Sequence, residues 1–114
     1  MKLRVALAQI NPTVGDLAGN AGLIAAAVAA AQEANANLIV FPEMIVTGYP
    51  VEDLALRPSF QAASIRAVQE IAASITGDIV AVVGYLDQGP CWTFNIYHCD
   101  CVWTIFVGNN GLAN

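Results

Sequence analysis

Apolar residues in this chain fall into two patterns, which are short continuous runs and longer segments with helical spacing. Residues 38–41 and 79–83 are continuous apolar runs, whereas residues 3–10 are rich in apolar and β-branched residues but include Arg4 and Gln9. A strand without polar alternation is typical of a parallel sheet that is covered on both faces. We therefore predict buried strands at residues 38–41 and 79–83. We also predict a strand at residues 3–10, which ends at Asn11-Pro12 because proline fixes φ and lacks an amide donor.

Two segments between these runs have apolar residues at helical spacing. The first is predicted as a helix over residues 21–34, where the alanines have high helix propensity and Asn20 is expected to cap the amino end. The second is predicted over residues 58–75 and is expected to end at Gly77. The order over residues 1–87 is then β-α-β-α-β, which indicates right-handed parallel crossovers and an α/β fold.

The composition changes after residue 87. Residues 91–107 contain both tryptophans, all three cysteines and the only histidine. We therefore divide the chain into residues 1–87 and a divergent stretch, residues 88–114. The second stretch has two interpretations: an aromatic β-hairpin at the edge of the sheet, or a non-native tail that follows a frameshift or comes from a truncated gene.

The overall composition excludes several classes of protein. Hydrophobic residues make up 57% of the chain and charged residues 11%, which excludes intrinsic disorder. The net charge is −5 with four basic side chains, so we expect no nucleic-acid partner. The alanine-rich segment 21–36 is shorter than the ~20 apolar residues that a spanning helix needs, so we expect no membrane partner. These features predict a soluble, cytoplasmic protein.

Glu43 is the most informative residue, because it comes shortly after the buried run 38–41. In open α/β sheets, ligands bind outside the carboxyl ends of the strands, which is where this spacing places the carboxylate. Apolar neighbours are expected to desolvate it partly, as suits a general base. The competing interpretation is that Glu43 caps its local turn or faces water.

Four phrases carry a family resemblance. They are VALAQINPTVGD at residues 5–16, LIVFPE at 38–43, TGYPVEDLALRPSF at 47–60 and VGYLD at 83–87. The first, second and fourth resemble the amino-terminal part of carbon–nitrogen hydrolases, the nitrilase superfamily. The third is similar to one branch of that superfamily, the glutaminase domains of glutamine-dependent NAD synthetases. The resemblance covers about three quarters of the chain.

The resemblance implies a partial α-β-β-α sandwich of the nitrilase type and a Glu-Lys-Cys triad. In that family the cysteine thiolate attacks the amide carbon of glutamine and forms a thioester, the glutamate acts as general base, and the lysine stabilises the oxyanion. Glu43 matches the family's glutamate, and Tyr49 matches a tyrosine that shapes the glutamine pocket. The other interpretation of Tyr49 is a packed aromatic side chain at a turn.

The resemblance also implies partners for a whole enzyme. Glutamine is the small-molecule substrate, and the ammonia released from it amidates nicotinic acid adenine dinucleotide in a separate synthetase domain. ATP and magnesium belong to that domain, and we expect no cofactor and no metal site in the present chain. The family further suggests a homo-oligomer.

The lysine and the cysteine of the triad have no counterpart in this sequence. No lysine follows Lys2, which precedes the first strand and so lies at the end of the sheet opposite Glu43. Cys91, Cys99 and Cys101 come too early and stand in the wrong phrases. We therefore expect the chain alone to be inactive as a glutaminase, and we expect apolar sheet faces and strand edges to be uncovered.

Other functions stay open at this point. His98 and the three cysteines could form a metal-binding module, although their crowding differs from the usual paired spacing of zinc ligands. The chain could also be a non-catalytic interaction domain that keeps the fold. A different parent, such as a simple amidase or nitrilase, is disfavoured by the phrase at residues 47–60.

Overall fold

Two helices and five strands make up the regular structure of the described part of the chain, together with one short 3₁₀ helix. The computed structural model describes residues 2–87 with their side chains and the backbone of residues 102–107 and 112–113. The elements in chain order are β1 (Val5–Leu7), α1 (Leu17–Glu33), β2 (Leu38–Val40), the 3₁₀ helix (Glu52–Leu56), α2 (Pro58–Ser74), β3 (Val80–Leu86), β4 (Val102–Val107) and β5 (Leu112–Ala113).

The five strands form one sheet in the order β1-β2-β3-β4-β5. The first three strands are parallel, whereas β4 runs antiparallel to both β3 and β5. Adjacent parallel strands need a crossover connection, and α1 and α2 provide the two crossovers. The predicted β-α-β-α-β order and the α/β fold class are therefore confirmed.

The hydrophobic core lies between the two helices and one face of the sheet. Ile24 of α1, Val68 of α2, and Ile39 and Val83 of the sheet are all buried. Burial of each such side chain contributes about 1.5–3 kcal/mol. Both helices share a single core cluster with alternate strand residues, as expected when two right-handed crossovers follow each other in one direction.

The opposite face of the sheet is partly exposed. Leu38 and Val40 of β2 are half-buried, and their β1 neighbours Val5 and Leu7 are 42% and 72% exposed. The prediction that the strand at residues 38–41 is buried on both faces is therefore wrong, whereas the half-burial of Leu38 and Val40 agrees with the expectation of uncovered apolar sheet faces. The physical reason is that α1 and α2 pack against the same face.

The first helix begins four residues earlier than predicted. Its N-cap is Asp16, whose Oδ1 accepts a hydrogen bond from the Gly19 amide at 3.0 Å. The prediction that Asn20 caps this helix is wrong, because Asn20 lies inside α1 with only 1% of its surface exposed. The first turn of α1 therefore includes residues that the sequence pattern assigned to a loop.

The remaining boundaries differ from the predictions by a few residues. α2 begins at Pro58, as predicted, because the fixed φ of proline suits the first helical turn. It ends at Ser74, shortly before Gly77, which has φ +92°. β1 is shorter than the predicted run 3–10 and β3 extends beyond the run 79–83, since backbone hydrogen bonds rather than apolar sequence define strand ends.

Candidate active site

The segment that follows β2, residues 41–48, is called the Glu43 turn here, and it lies against β3. The Val46 amide donates a hydrogen bond to the Gly84 carbonyl at 3.3 Å. Glu43 lies at the start of this segment and is exposed. The carboxylate therefore lies at the carboxyl edge of the parallel strands, where open α/β sheets bind ligands.

Gly84 allows the Glu43 turn to approach β3 closely. A Cβ atom at residue 84 would lie 2.7 Å from the Met44 amide nitrogen and 3.3 Å from the Glu43 Cα. Met44 itself has φ +60°, a conformation that costs a non-glycine residue about 1–3 kcal/mol. Its side chain is buried in a cluster with Leu86, and this burial offsets the backbone strain.

Asn20 joins the Glu43 turn to the loop that follows β1. Its side-chain Nδ2 donates to the Val46 carbonyl at 2.9 Å and to the Thr13 carbonyl at 2.8 Å. Its Oδ1 accepts from the Thr13 amide at 2.9 Å. Because a carboxamide offers two N–H donors and one oxygen acceptor, every polar atom of this buried side chain has a partner.

One backbone hydrogen bond completes the junction between the loops, and a second closes the Glu43 turn itself. The Gly15 amide donates to the Thr47 carbonyl at 2.9 Å, and the Gly48 amide donates to the Met44 carbonyl at 2.8 Å. Gly48 has φ +78°, and a Cβ atom there would lie 2.7 Å from the Val14 Cα. The Glu43 turn is thus fixed by β3 on one side and by the β1 loop on the other.

Both residues predicted for the site are accessible. Tyr49 is 74% exposed, so it is not a packed aromatic side chain. Glu43 is also exposed, and the expectation that apolar neighbours desolvate it is wrong for the described residues. Both side chains are therefore free to meet a ligand or further protein groups.

The other residues considered from the sequence do not join Glu43 in the described structure. Lys2 precedes β1, whereas Glu43 follows the parallel strand β2, so the two lie towards opposite ends of the strands. The three cysteines, Cys91, Cys99 and Cys101, and His98 lie outside the described residues. Within the described residues, no group of three or more His, Cys, Asp or Glu side chains could hold a metal ion.

No helix in the described part of the chain is long and apolar enough to cross a membrane.

A tyrosine–aspartate pair lies at the carboxyl end of β3. Tyr85 is 3% exposed, and its hydroxyl donates to Asp87 Oδ2 at 3.4 Å. Burial raises the pKa of Tyr85 above its ordinary value of 10.0, and the charge of Asp87 and the hydrogen bond to it raise the pKa further. The phenol is therefore protonated at neutral pH and does not act as a base there.

The sequence analysis did not recognise the role of three residues in fixing the Glu43 turn, namely Asn20, Gly48 and Gly84. Asp16 directly precedes the apolar Leu17 and could have been recognised as a helix cap. That assignment would have left Asn20 inside a helix, where asparagine is unfavourable unless its side chain has partners elsewhere. Gly84 interrupts an apolar strand, a signal of close backbone approach.

Comparison with known proteins identifies the family. The family model of carbon-nitrogen hydrolases matches residues 4–111, and the chain therefore belongs to that family. The resemblance that the sequence phrases indicated is confirmed.

The relatives include glutamine-dependent NAD(+) synthetases. The synthetase of Xanthomonas campestris pv. campestris is 46% identical over 94 residues, which are 82% of this chain and 17% of that protein. The crystal structure of a glutamine-dependent NAD(+) synthetase from Cytophaga hutchinsonii matches with a TM-score of 0.73 and 34% identity, over 77% of this chain and 15% of that chain. The chain resembles the N-terminal part of these enzymes and spans less than one fifth of their length.

An amidase has the same fold. The amidase from Nesterenkonia sp. matches with a TM-score of 0.63 and 27% identity, over 77% of this chain and 34% of that chain. One structure of a mutant of that amidase shows covalent addition of the acetamide moiety of fluoroacetamide at its active-site cysteine. A cysteine nucleophile thus occurs in a protein that shares this fold.

Proposed function

We propose that residues 1–87 form the amino-terminal part of a glutaminase domain of a glutamine-dependent NAD synthetase, with Glu43 as its general base. The observation that carries the proposal is the placement of the Glu43 carboxylate. It is exposed at the carboxyl edge of parallel strands, on a turn that Gly84 and Asn20 fix. The family match and the synthetase relatives support the choice of reaction.

In the proposed reaction Glu43 accepts the proton of a cysteine thiol. The thiolate attacks the amide carbon of glutamine, the C–N bond breaks, and ammonia leaves with the proton that the carboxylic acid returns. Water then hydrolyses the thioester and releases glutamate. A cation beside the carbonyl oxygen stabilises the negative charge that develops there.

The described residues place neither a cysteine nor a cation beside Glu43. The proposed reaction therefore takes both from other groups. No lysine follows Lys2 in this sequence, and Cys91, Cys99 and Cys101 do not stand in the family's phrases. A general base alone contributes about 10²–10⁴-fold to a rate. We therefore expect the 114-residue chain to release no ammonia from glutamine.

The remaining parts of the proposal concern the whole enzyme. Tyr49, exposed after the Glu43 turn, is assigned to the glutamine pocket. The synthetase of Acinetobacter baumannii was solved in complex with ADP, which supports ATP as a ligand of the synthetase part. Magnesium is proposed to accompany the ATP. We assign the whole enzyme to the cytoplasm as a homo-oligomer.

The strands at residues 102–107 and 112–113 are proposed to belong to a native edge hairpin rather than to a non-native tail. The family match extends to residue 111, and the backbone of β4 pairs with both β3 and β5. Circular dichroism of the 114-residue chain and limited proteolysis, with the fragments identified by mass spectrometry, test this proposal. Protection of residues 102–113 from protease supports a hairpin, and their rapid loss from an intact core supports a tail.

A graft tests the proposed function directly. Residues 4–87 of this chain replace the aligned segment of the Xanthomonas campestris synthetase, and glutamine-driven and ammonium-driven NAD formation are both measured. We expect the graft to retain glutamine-driven synthesis, because the segment supplies a correctly placed base. A graft that uses ammonium normally but not glutamine would contradict the proposal. Ammonia release by the 114-residue chain alone would contradict its expected inactivity.

A non-catalytic interaction domain is the second candidate. The observation in its favour is the partly exposed apolar sheet face beside Leu7. Size-exclusion chromatography that shows a folded oligomer of defined size would favour this candidate, provided that the graft also fails with glutamine.

A further inference from the structure

Asn20 has an unusual environment for a residue within a surface helix. It is 1% exposed, and its backbone amide makes an ordinary helical hydrogen bond to the Asp16 carbonyl at 2.9 Å. Its side chain, however, makes no contribution to capping. All three of its polar bonds go to backbone atoms of two loops, those at Thr13 and Val46.

The bond to Val46 is the important one for the proposed site. Val46 makes two hydrogen bonds that anchor the Glu43 turn. Its amide donates to the Gly84 carbonyl, and its carbonyl accepts from Asn20. Glu43 lies three residues earlier, next to the strained Met44. A shift of the Val46 peptide would therefore be transmitted along a short, tightly packed segment to the carboxylate.

The hydrogen bonds to Thr13 fix the position of the Asn20 side chain. They tie the side chain to both the amide and the carbonyl of one residue, which fixes the carboxamide plane. The carboxamide thus acts as a rigid bridge between the β1 loop and the Glu43 turn. A bonded and buried polar group of this kind specifies one arrangement, because any alternative leaves a polar atom unpaired.

We propose that Asn20 is a positioning residue for Glu43, which it holds in register with the carboxyl edge of the sheet through Val46. This inference rests on the proposed function in one respect only, namely that Glu43 is the base. The bridging itself is a property of the 114-residue chain and is testable without any activity.

The variants for the test are Asn20→Ser and, as a matched control, Ser64→Ala. Serine keeps a small polar side chain but does not reach both loops. Ser64 is likewise a fully buried polar residue of a helix, and its hydroxyl accepts a hydrogen bond from the Leu86 amide at 3.0 Å. Its loss removes one buried hydrogen bond, which is made to β3 and not to the backbone of the Glu43 turn.

Amide hydrogen exchange of the full 114-residue chain gives the first readout. In Asn20→Ser we expect the Gly15 and Gly48 amides to exchange about tenfold faster, while the sheet amides of Ala8 and Val80 change less than about twofold. Ser64→Ala is expected to leave the ratio of junction to sheet exchange unchanged. Equal acceleration of all four amides, or outright unfolding by Asn20→Ser, would show a general stabilising role and overturn the proposal.

Kinetics of the grafted synthetase give the second readout. Asn20→Ser is expected to lower kcat with glutamine about tenfold or more, with KM for glutamine and the ammonium-driven rate changed less than about twofold, because a small displacement of a catalytic group affects the chemical step most. Full activity of Glu43→Gln would overturn the proposed function and leave the exchange result standing. If Glu43→Gln is inactive with glutamine but Asn20→Ser has an unaltered kcat, the positioning role of Asn20 is overturned and the assignment of Glu43 as base stands.

Discussion

The Cα of Gly84 faces the amide nitrogen of Met44 so closely that a Cβ atom at residue 84 would lie 2.7 Å from it. This close approach lets the Glu43 turn pack onto β3, since the same Cβ atom would lie 3.3 Å from the Glu43 Cα. The absence of a side chain at one strand position is thus a precondition for the candidate site.

Replacement of Gly84 by alanine is expected to destabilise the chain. The added methyl must displace backbone rather than a flexible side chain, and overpacking of this kind costs about 1–3 kcal/mol. Urea denaturation measures the change, with Gly22→Ala as control. A Cβ atom at residue 22 meets nothing within 4 Å, so that variant should gain about 0.5–1 kcal/mol of helix stability. Equal stability of the two variants would refute the close contact.

The cap of α1 gives a second prediction. Asp16→Ala should lower the free energy of unfolding by about 1 kcal/mol, because the Gly19 amide loses its acceptor. Asp78→Ala, at an exposed aspartate outside the helices, should change it by less than about 0.5 kcal/mol. Thermal or urea unfolding of both variants checks this. An unaffected Asp16→Ala would argue against Asp16 as the cap.

The exposed edge strand gives a third prediction. Leu7 is 72% exposed on β1, so Leu7→Lys should reduce concentration-dependent aggregation with little loss of stability, since lysine on an edge strand opposes strand addition. Leu56→Lys is the control, because Leu56 is 71% exposed but lies on the 3₁₀ helix. Light scattering against concentration compares them. If both variants reduce aggregation equally, β1 is not the surface responsible.

Tyr85 predicts the response to alkaline pH. Because its pKa is raised in the folded chain, its contribution to stability is complete below about pH 10. Above that pH the unfolded chain loses the phenolic proton first, so the contribution is lost as pH rises through the folded pKa. Between pH 9 and pH 11 the urea midpoint of the wild-type chain should therefore fall relative to that of Tyr85→Phe. A constant difference between them across this interval would contradict the raised pKa.

Much of the fold could be predicted because the local sequence preferences agree with the elements that form. The apolar runs that became β2 and β3, and the start of α2 at Pro58, follow directly from periodicity and proline geometry. Burial on both sheet faces was predicted wrongly, because a continuous apolar run does not reveal which face its neighbours cover. Pattern alone cannot show how many layers pack on a sheet.

The candidate site was predictable only in part. Glu43 was found because it follows an apolar run, a local signal. The role of Asn20 was not found, because it depends on hydrogen bonds to Thr13 and Val46, which are distant in the chain by 7 and 26 positions. Gly84 was quoted within a family phrase, yet its function is the space that it leaves for the Glu43 turn. Long-range contacts of this kind have no fixed spacing in sequence.

The most direct test of the account is the glutamine-driven rate of the grafted synthetase carrying Glu43→Gln. Glu33→Gln is the matched control, since Glu33 is an exposed glutamate at the end of α1, away from the Glu43 turn. If Glu43 is the base, Glu43→Gln lowers the glutamine-driven rate about 10²–10⁴-fold and leaves the ammonium-driven rate and the Glu33→Gln enzyme unchanged. A glutamine-driven rate in Glu43→Gln equal to that in Glu33→Gln would contradict the central claim.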